Sequence, residues 1–121
     1  MEKQLKYYEV IMGLMGVISQ NSNLHDCSVL YDCAKNLAEV KKEDLPQFNV
    51  KNRIGVLTSS HVDMSIRNLT DCEMIKLVDY SKVVLTDKGR MFYKVRIKPE
   101  LKKRGLLEDF EMVGKGIEGT L

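Results

Sequence analysis

The chain has 121 residues, 44% of them hydrophobic and 30% charged, and a net charge of +2. Leu, Ile, Val and Met in this abundance can offset the ordering entropy of folding, which excludes a disordered chain, and the length suits one domain spanning 1–121 but not two. Cys27, Cys33 and Cys72 are an odd set without a CxxC pair, which argues against a disulfide framework or a zinc knuckle and makes a reducing cytoplasm the simplest location.

The first helix is expected from about Lys3 to Gln20, because Leu5, Tyr8, Met12 and Met15 lie on one stripe and Tyr7, Ile11, Leu14 and Ile18 on another. A helix apolar on both sides suits either a core or a subunit interface, and Gly13 and Gly16 let a neighbour approach closely. The apolar run Val10 to Ile18 is too short for the roughly 20 residues a bilayer span needs, and no small-residue cleavage site follows it. Neither a membrane span nor a signal peptide is expected.

Asn21, Ser22 and Asn23 read as a turn before a second helix, about His25 to Lys41, with Leu30, Ala34 and Leu37 inward and Val29, Cys33 and Val40 beside them. Asp44-Leu45-Pro46 interrupts the pattern. Asn49 can cap a short third helix over Val50 to Val56. Ser60 and Asp63 have the S-x-x-D spacing of a capping box, and they open a fourth helix whose Val62, Ile66 and Leu69 face inward. His61, Asp63, Met64, Arg67, Asn68 and Asp71 fall on its other faces.

After Met74 and Ile75 the period shortens. Lys76-Leu77-Val78 and Lys82-Val83-Val84-Leu85, joined by Asp79-Tyr80-Ser81, predict a compact β-hairpin. Thr86 can cap a helix over Asp87 to Ile97, and Pro99 either stops it or starts a new helix at a bend. Leu106, Phe110, Val113 and Ile117 form a last helical stripe, weakened by glycines. The pattern is mainly α with a small β-hairpin: N-terminal helices over 1–42, a central module over 49–98, and a C-terminal helix or tail over 99–121.

Charge is unevenly spread along these elements. Residues 1–45 carry a net −2, residues 46–75 balance, residues 76–105 hold ten Lys/Arg against three Asp/Glu, and residues 106–121 carry −3. Such asymmetry suits a surface that meets an anionic partner, and equally a solvated helix face.

Helix, tight turn, helix and hairpin is the order of a winged helix-turn-helix module, whose second helix lies in the DNA major groove. Ile54-Gly55-Val56, Val62, Leu69 and Met74-Ile75 resemble the Leu-Gly-Val to Leu-Ile register of MarR-like transcription regulators. Val83-Val84-Leu85-Thr86-Asp87-Lys88-Gly89 is similar to that group's strand ending in Leu-Thr-x-x-Gly. The resemblance departs at Glu73, where the group usually carries Gly because the recognition helix ends in left-handed geometry, which puts the end of that helix in question. The wing is also short, with only Lys76 and Lys82 at its base.

The resemblance implies a sequence-specific, DNA-binding transcriptional regulator that acts as a homodimer on double-stranded DNA, assembled through its first and C-terminal helices. Ser59, Ser60, His61, Met64, Arg67 and Asn68 would approach base edges, where Arg suits guanine and Asn adenine. Lys51, Asn52, Arg53, Lys82, Lys88 and Arg90 would contact phosphates. The acidic Asp63 and Asp71, the short wing and the near-neutral charge support a second reading, a winged-helix module that binds another protein, such as an adaptor or a mobile-element-encoded modulator.

Other chemistry finds little footing. Cys27 and Cys33 are spaced to point to different sides of a helix, so with His25 they make a poor metal site. Ser60-His61 lacks the partners of a triad, and no Gly-rich phosphate loop occurs. Neither an enzyme nor a cofactor is expected.

Overall fold

Tyr7–Ile18 forms the first helix, α1, and every residue from Val10 to Ile18 is buried. The computed structural model describes residues 4–18, 24–47, 60–79 and 82–120. Helix α1 begins at Tyr7 rather than near Lys3 because the Glu9 carboxylate accepts the Lys6 backbone N–H at 2.8 Å, the reach-back half of a capping box. Leu5 instead donates its N–H to the Asp44 carbonyl at 2.9 Å. The predicted turn at 21–23 and the predicted helix Val50 to Val56 lie outside the described residues.

The next segment departs from the predicted helix start. Leu24–Asp26 is a strand, β1, and helix α2 runs from Cys27–Val40. Leu30, Ala34, Leu37 and Ala38 of α2 are buried, as their spacing requires, whereas Val40 is 75% exposed and does not join them. Tyr7 Oη donates to the Gln47 carbonyl at 3.0 Å and Gln47 Nε2 to Ala38 at 3.2 Å, tying the start of α1 to the loop after α2.

Helix α3, Ser60–Asp71, starts where the sequence placed it and buries Val62, Ile66 and Leu69 against α1. The hairpin follows as β2, Ile75–Asp79, and β3, Lys82–Leu85, and the three strands form an antiparallel sheet in the order β1-β3-β2. Val84 aligns with Leu24 on one side and Lys76 on the other, and the β2–β3 register shifts between Leu77 and Asp79. Alternation points Val83 and Leu85 into the core and Lys82 outward. Helix, strand, helix, helix and hairpin is an order compatible with a winged helix.

From Asp87 the chain remains helical to Arg104: α4, Asp87–Phe92, passes into a π-helical turn, Tyr93–Ile97, and then α5, Lys98–Arg104. Pro99 therefore starts a new helical segment without a break. Its ring nitrogen cannot donate and its ring crowds the carbonyl four residues back. The wider π turn just upstream accommodates this, with the Lys98 N–H bonded to the Tyr93 carbonyl five residues behind. Gly105 then turns the chain into α6, Leu107–Thr120, helical despite its glycines.

The core lies around α1, which is packed by α2, α3, α6 and the π turn. Gly13 lies against the Phe110 ring and Leu101, and Gly16 lies against the Tyr93 ring, so close that a Cβ at either position would overlap it. With Val10, Ile11, Met12, Leu14 and Met15 at 0% exposure, α1 is consumed by its own chain's core. Core packing is thus the use that the buried run Val10 to Ile18 serves, while Tyr7, Tyr8 and Glu9 at its start are only half-buried.

Candidate nucleic-acid interface

Helix α3 separates its residues by face. Val62, Ser65, Ile66 and Leu69 are buried, while Met64, Arg67, Asn68 and Asp71 are exposed and follow one another at helical spacing on the outer side. Arg67 and Asn68 thus stand side by side, both exposed among the described residues, and Met64, 59% exposed, stands one turn ahead of them. The Asp71 carboxylate sits one turn further on, at the C-terminal end of the stripe. Ser65 is buried as well, at 4% exposure, although a hydroxyl residue reads as polar in a helical pattern.

The end of α3 is fixed unusually firmly. The Met74 N–H bonds to Leu69 O at 2.9 Å and the Glu73 N–H to Thr70 O at 3.0 Å, the paired bonds of a Schellman motif. The motif requires a left-handed residue, and Glu73 takes that conformation with φ 63°. The helix therefore ends in the geometry that Gly provides in the MarR-like pattern, with a side chain present. A short, well-placed set of contacts from the start of α4 holds it there. The Thr86 N–H donates to Met74 O at 3.1 Å, and Thr86 Oγ1 lies 2.6 Å from Glu73 O and 3.0 Å from Met74 O, to which its single proton can be shared. The same hydroxyl accepts the Gly89 N–H at 3.0 Å, which is the N-cap expected of Thr86. Gly89 packs directly on the Met74 carbonyl, and a Cβ there would overlap the oxygen. The Thr and Gly of the Leu-Thr-x-x-Gly segment thus have a common physical role: they join α4 to the end of α3.

This junction brings Lys88, together with Lys76, to an open cleft whose walls also include Thr70, Glu73, Ile75, Thr86 and Asp87. Lys76 was not among the expected contact residues; it is exposed next to buried Ile75 at the start of β2. Lys82 is exposed at the far end of the hairpin, aligned with Asp79 and Asp26, so it is separated from Lys88 by the length of β3. Arg90 is half-buried on α4. Lys51, Asn52, Arg53 and Ser59 lie outside the described residues, as do the side chains of Ser60 and His61. The hairpin also exposes apolar side chains, Leu77 at 49% and Val78 at 56%.

Thiol chemistry is absent from the described part of this surface except for exposed Cys72 at the end of α3. Cys33 is half-buried on α2, and burial, with the negative Asp32 beside it, pushes its thiol up to about 11. A thiol so shifted is a poor nucleophile at neutral pH. Among the described residues no cluster of three or more His, Cys, Asp or Glu could hold a metal ion, and no helix is long and apolar enough to cross a membrane.

No protein-family model, curated protein or solved structure matches the chain.

Proposed function

We propose that the protein is a sequence-specific DNA-binding transcriptional regulator of winged helix-turn-helix type, acting as a homodimer with α3 in the major groove. The observation that carries the reading is the division of α3: Val62, Ile66 and Leu69 anchor it, and Met64, Arg67 and Asn68 stand exposed among the described residues on the other side. An Arg and an Asn adjacent on such a face are the side chains suited to bidentate bonds with guanine and adenine. Lys76 and Lys88 at the cleft, with Lys82 on the hairpin, supply positive charge for phosphates on either side of the groove. Firm termination of α3 by Glu73, Thr86 and Gly89 supports the reading as well, because base recognition needs a rigid, correctly aimed helix.

The reading is tested by selecting bound fragments from a random duplex pool and measuring affinity for the winner across a salt series. Affinity should fall steeply with salt, and Arg67→Ala should relax preference at one base pair by about 1–3 kcal/mol. Binding indifferent to sequence, salt and Arg67 would overturn it. A second reading, a winged-helix module that binds another protein, is favoured by one observation: Met64, Leu77 and Val78 are exposed apolar residues on the same helix and wing. A specific partner retained from host lysate after nuclease treatment, with no selected DNA sequence, would favour that reading.

A further inference from the structure

From Asp87 to Arg104, α4, the π turn and α5 make one continuous rod. Its core side is a line of residues four apart: Gly89, Ile97 and Leu101 are buried and Tyr93 is half-buried. The outer side carries a second such line, Met91 at 61% exposure, Val95 at 57% and exposed Pro99. In a regular α-helix residues four apart drift around the axis by about 40° at each step. The π turn takes more residues per turn and so offsets that drift, which keeps the outer line straight. Exposed Lys94, Lys98 and Lys102 run along one flank of this line, and exposed Arg96 and Lys103 along the other. Glu100 is the only acidic residue between Lys88 and Lys103, and Arg104 pairs with it at 2.7 Å. Solubility accounts for the cations but not for an apolar line drawn through their midst.

We propose that this face lies flat on an anionic lipid bilayer, with Met91, Val95 and Pro99 entering the headgroup boundary and the flanking cations meeting the lipid charges. The pattern is that of an interfacial helix: an apolar centre bordered by Lys and Arg, whose long stems hold the charge at headgroup level. Charge complementarity selects the anionic lipid, and shape selects a bilayer over other anionic partners. A nucleic-acid backbone would use the cations but leave the apolar line in water. A peptide helix seats its apolar side in a groove, whereas this line runs along the crest of a rod, opposite its buried side. A fluid bilayer closes around a crest. The face uses no residue of α3, the hairpin or the cleft beside them, so the inference stands apart from DNA recognition.

Co-sedimentation of the full chain with lipid vesicles tests it. The chain should bind vesicles of equal parts phosphatidylcholine and phosphatidylserine, more weakly as salt rises, and should not bind phosphatidylcholine alone. Lys94→Glu/Lys98→Glu should raise the apparent dissociation constant at least about tenfold. Met91→Ser/Val95→Ser should raise it about fivefold with the charge unchanged. Lys6→Glu/Lys42→Glu makes the same net-charge change elsewhere and should weaken binding far less. Circular dichroism verifies that each variant folds, and Lys94→Gln/Lys98→Gln serves if the reversal does not. The chain has no Trp, so Val95→Trp supplies a single fluorophore whose emission should shift to the blue on the anionic vesicles, while that of Val40→Trp on α2 should not. No binding to the anionic vesicles, equal binding to both kinds, equal weakening by the control pair, or an unshifted Val95→Trp would overturn the proposal. Vesicle binding that ignores Met91→Ser/Val95→Ser, with the lysine reversals weakening binding to random-sequence duplex DNA, would assign the face to nucleic acid and overturn it as well. Arg67→Ala should leave vesicle binding unchanged, so loss of DNA reading and loss of lipid binding are separately visible.

Discussion

Helices α3 and α5 end in the same way with different residues. At the end of α5, Gly105 sits at φ 72°, its N–H bonded to Lys102 O at 3.1 Å and the Leu106 N–H to Leu101 O at 2.9 Å. At the end of α3 the same pair of bonds forms around Glu73 at φ 63°. Gly105 has nothing within 4 Å of where its Cβ would stand, so its end is set locally, by the freedom of glycine in that conformation. Glu73 pays a steric cost that glycine avoids, and the Thr86–Gly89 contacts on Glu73 and Met74 offset it. One end follows residue preference; the other is imposed by tertiary structure, at the helix proposed to read DNA.

Breaking the imposed end should have the largest effect. Gly89→Ala drives a methyl into the Met74 carbonyl and should destabilise the fold by about 3 kcal/mol or more in urea unfolding. Thr86→Val removes the hydroxyl that serves Glu73 O, Met74 O and the Gly89 N–H, and a loss of about 2 kcal/mol is expected by the same measurement. Gly105→Ala, forced into left-handed backbone without tertiary contacts to hold it, should cost about 1 kcal/mol. Glu73→Gly should do the reverse and stabilise by about 0.5–1 kcal/mol, because it relieves the strain while the bonds around it remain. If Glu73→Gly destabilises instead, the carboxylate side chain itself supports the cap and the comparison fails.

The smallest effect concerns the local support of the α5 end. Arg104 Nε donates to Glu100 Oε1 at 2.7 Å, and that hydrogen bond holds the Glu100 carboxyl below its ordinary range. A carboxylate lowered on folding contributes stability above its unfolded pKa and loses it as pH falls through the folded one. Glu100→Gln should therefore cost slightly at neutral pH and nothing in acid, with the difference vanishing across the carboxylate range in pH-dependent thermal melts.

These contrasts also mark what could be read from the residues. The start of α3 at Ser60, the hairpin and the Thr86 cap are local signals, and all were legible. The outward placement of Met64, Arg67 and Asn68 followed from the spacing of Val62, Ile66 and Leu69. Strand β1 was not legible, because three residues show no alternation and its pairing with β3 is a long-range contact. Pro99 signalled a bend, but the response to it is a π turn upstream, over Tyr93–Ile97, which no local residue pattern marks. Glu73 was read as a departure because local preference favours Gly there; the contacts that compensate come from residues thirteen and more positions later. Val40 fitted the helical pattern of α2 yet lies outside the core, since among the described residues no element covers the end of that helix.

The central claim is that the Met64–Arg67–Asn68 side of α3 lies in a DNA groove. A photoreactive benzophenone side chain placed at Met64, and separately at Val40 on α2, would report directly on proximity to a selected duplex. Efficient cross-linking to DNA bases from position 64, with none from position 40, is the predicted result. Equal yields from the two positions, or none from position 64 under conditions where the duplex is bound, would contradict the account.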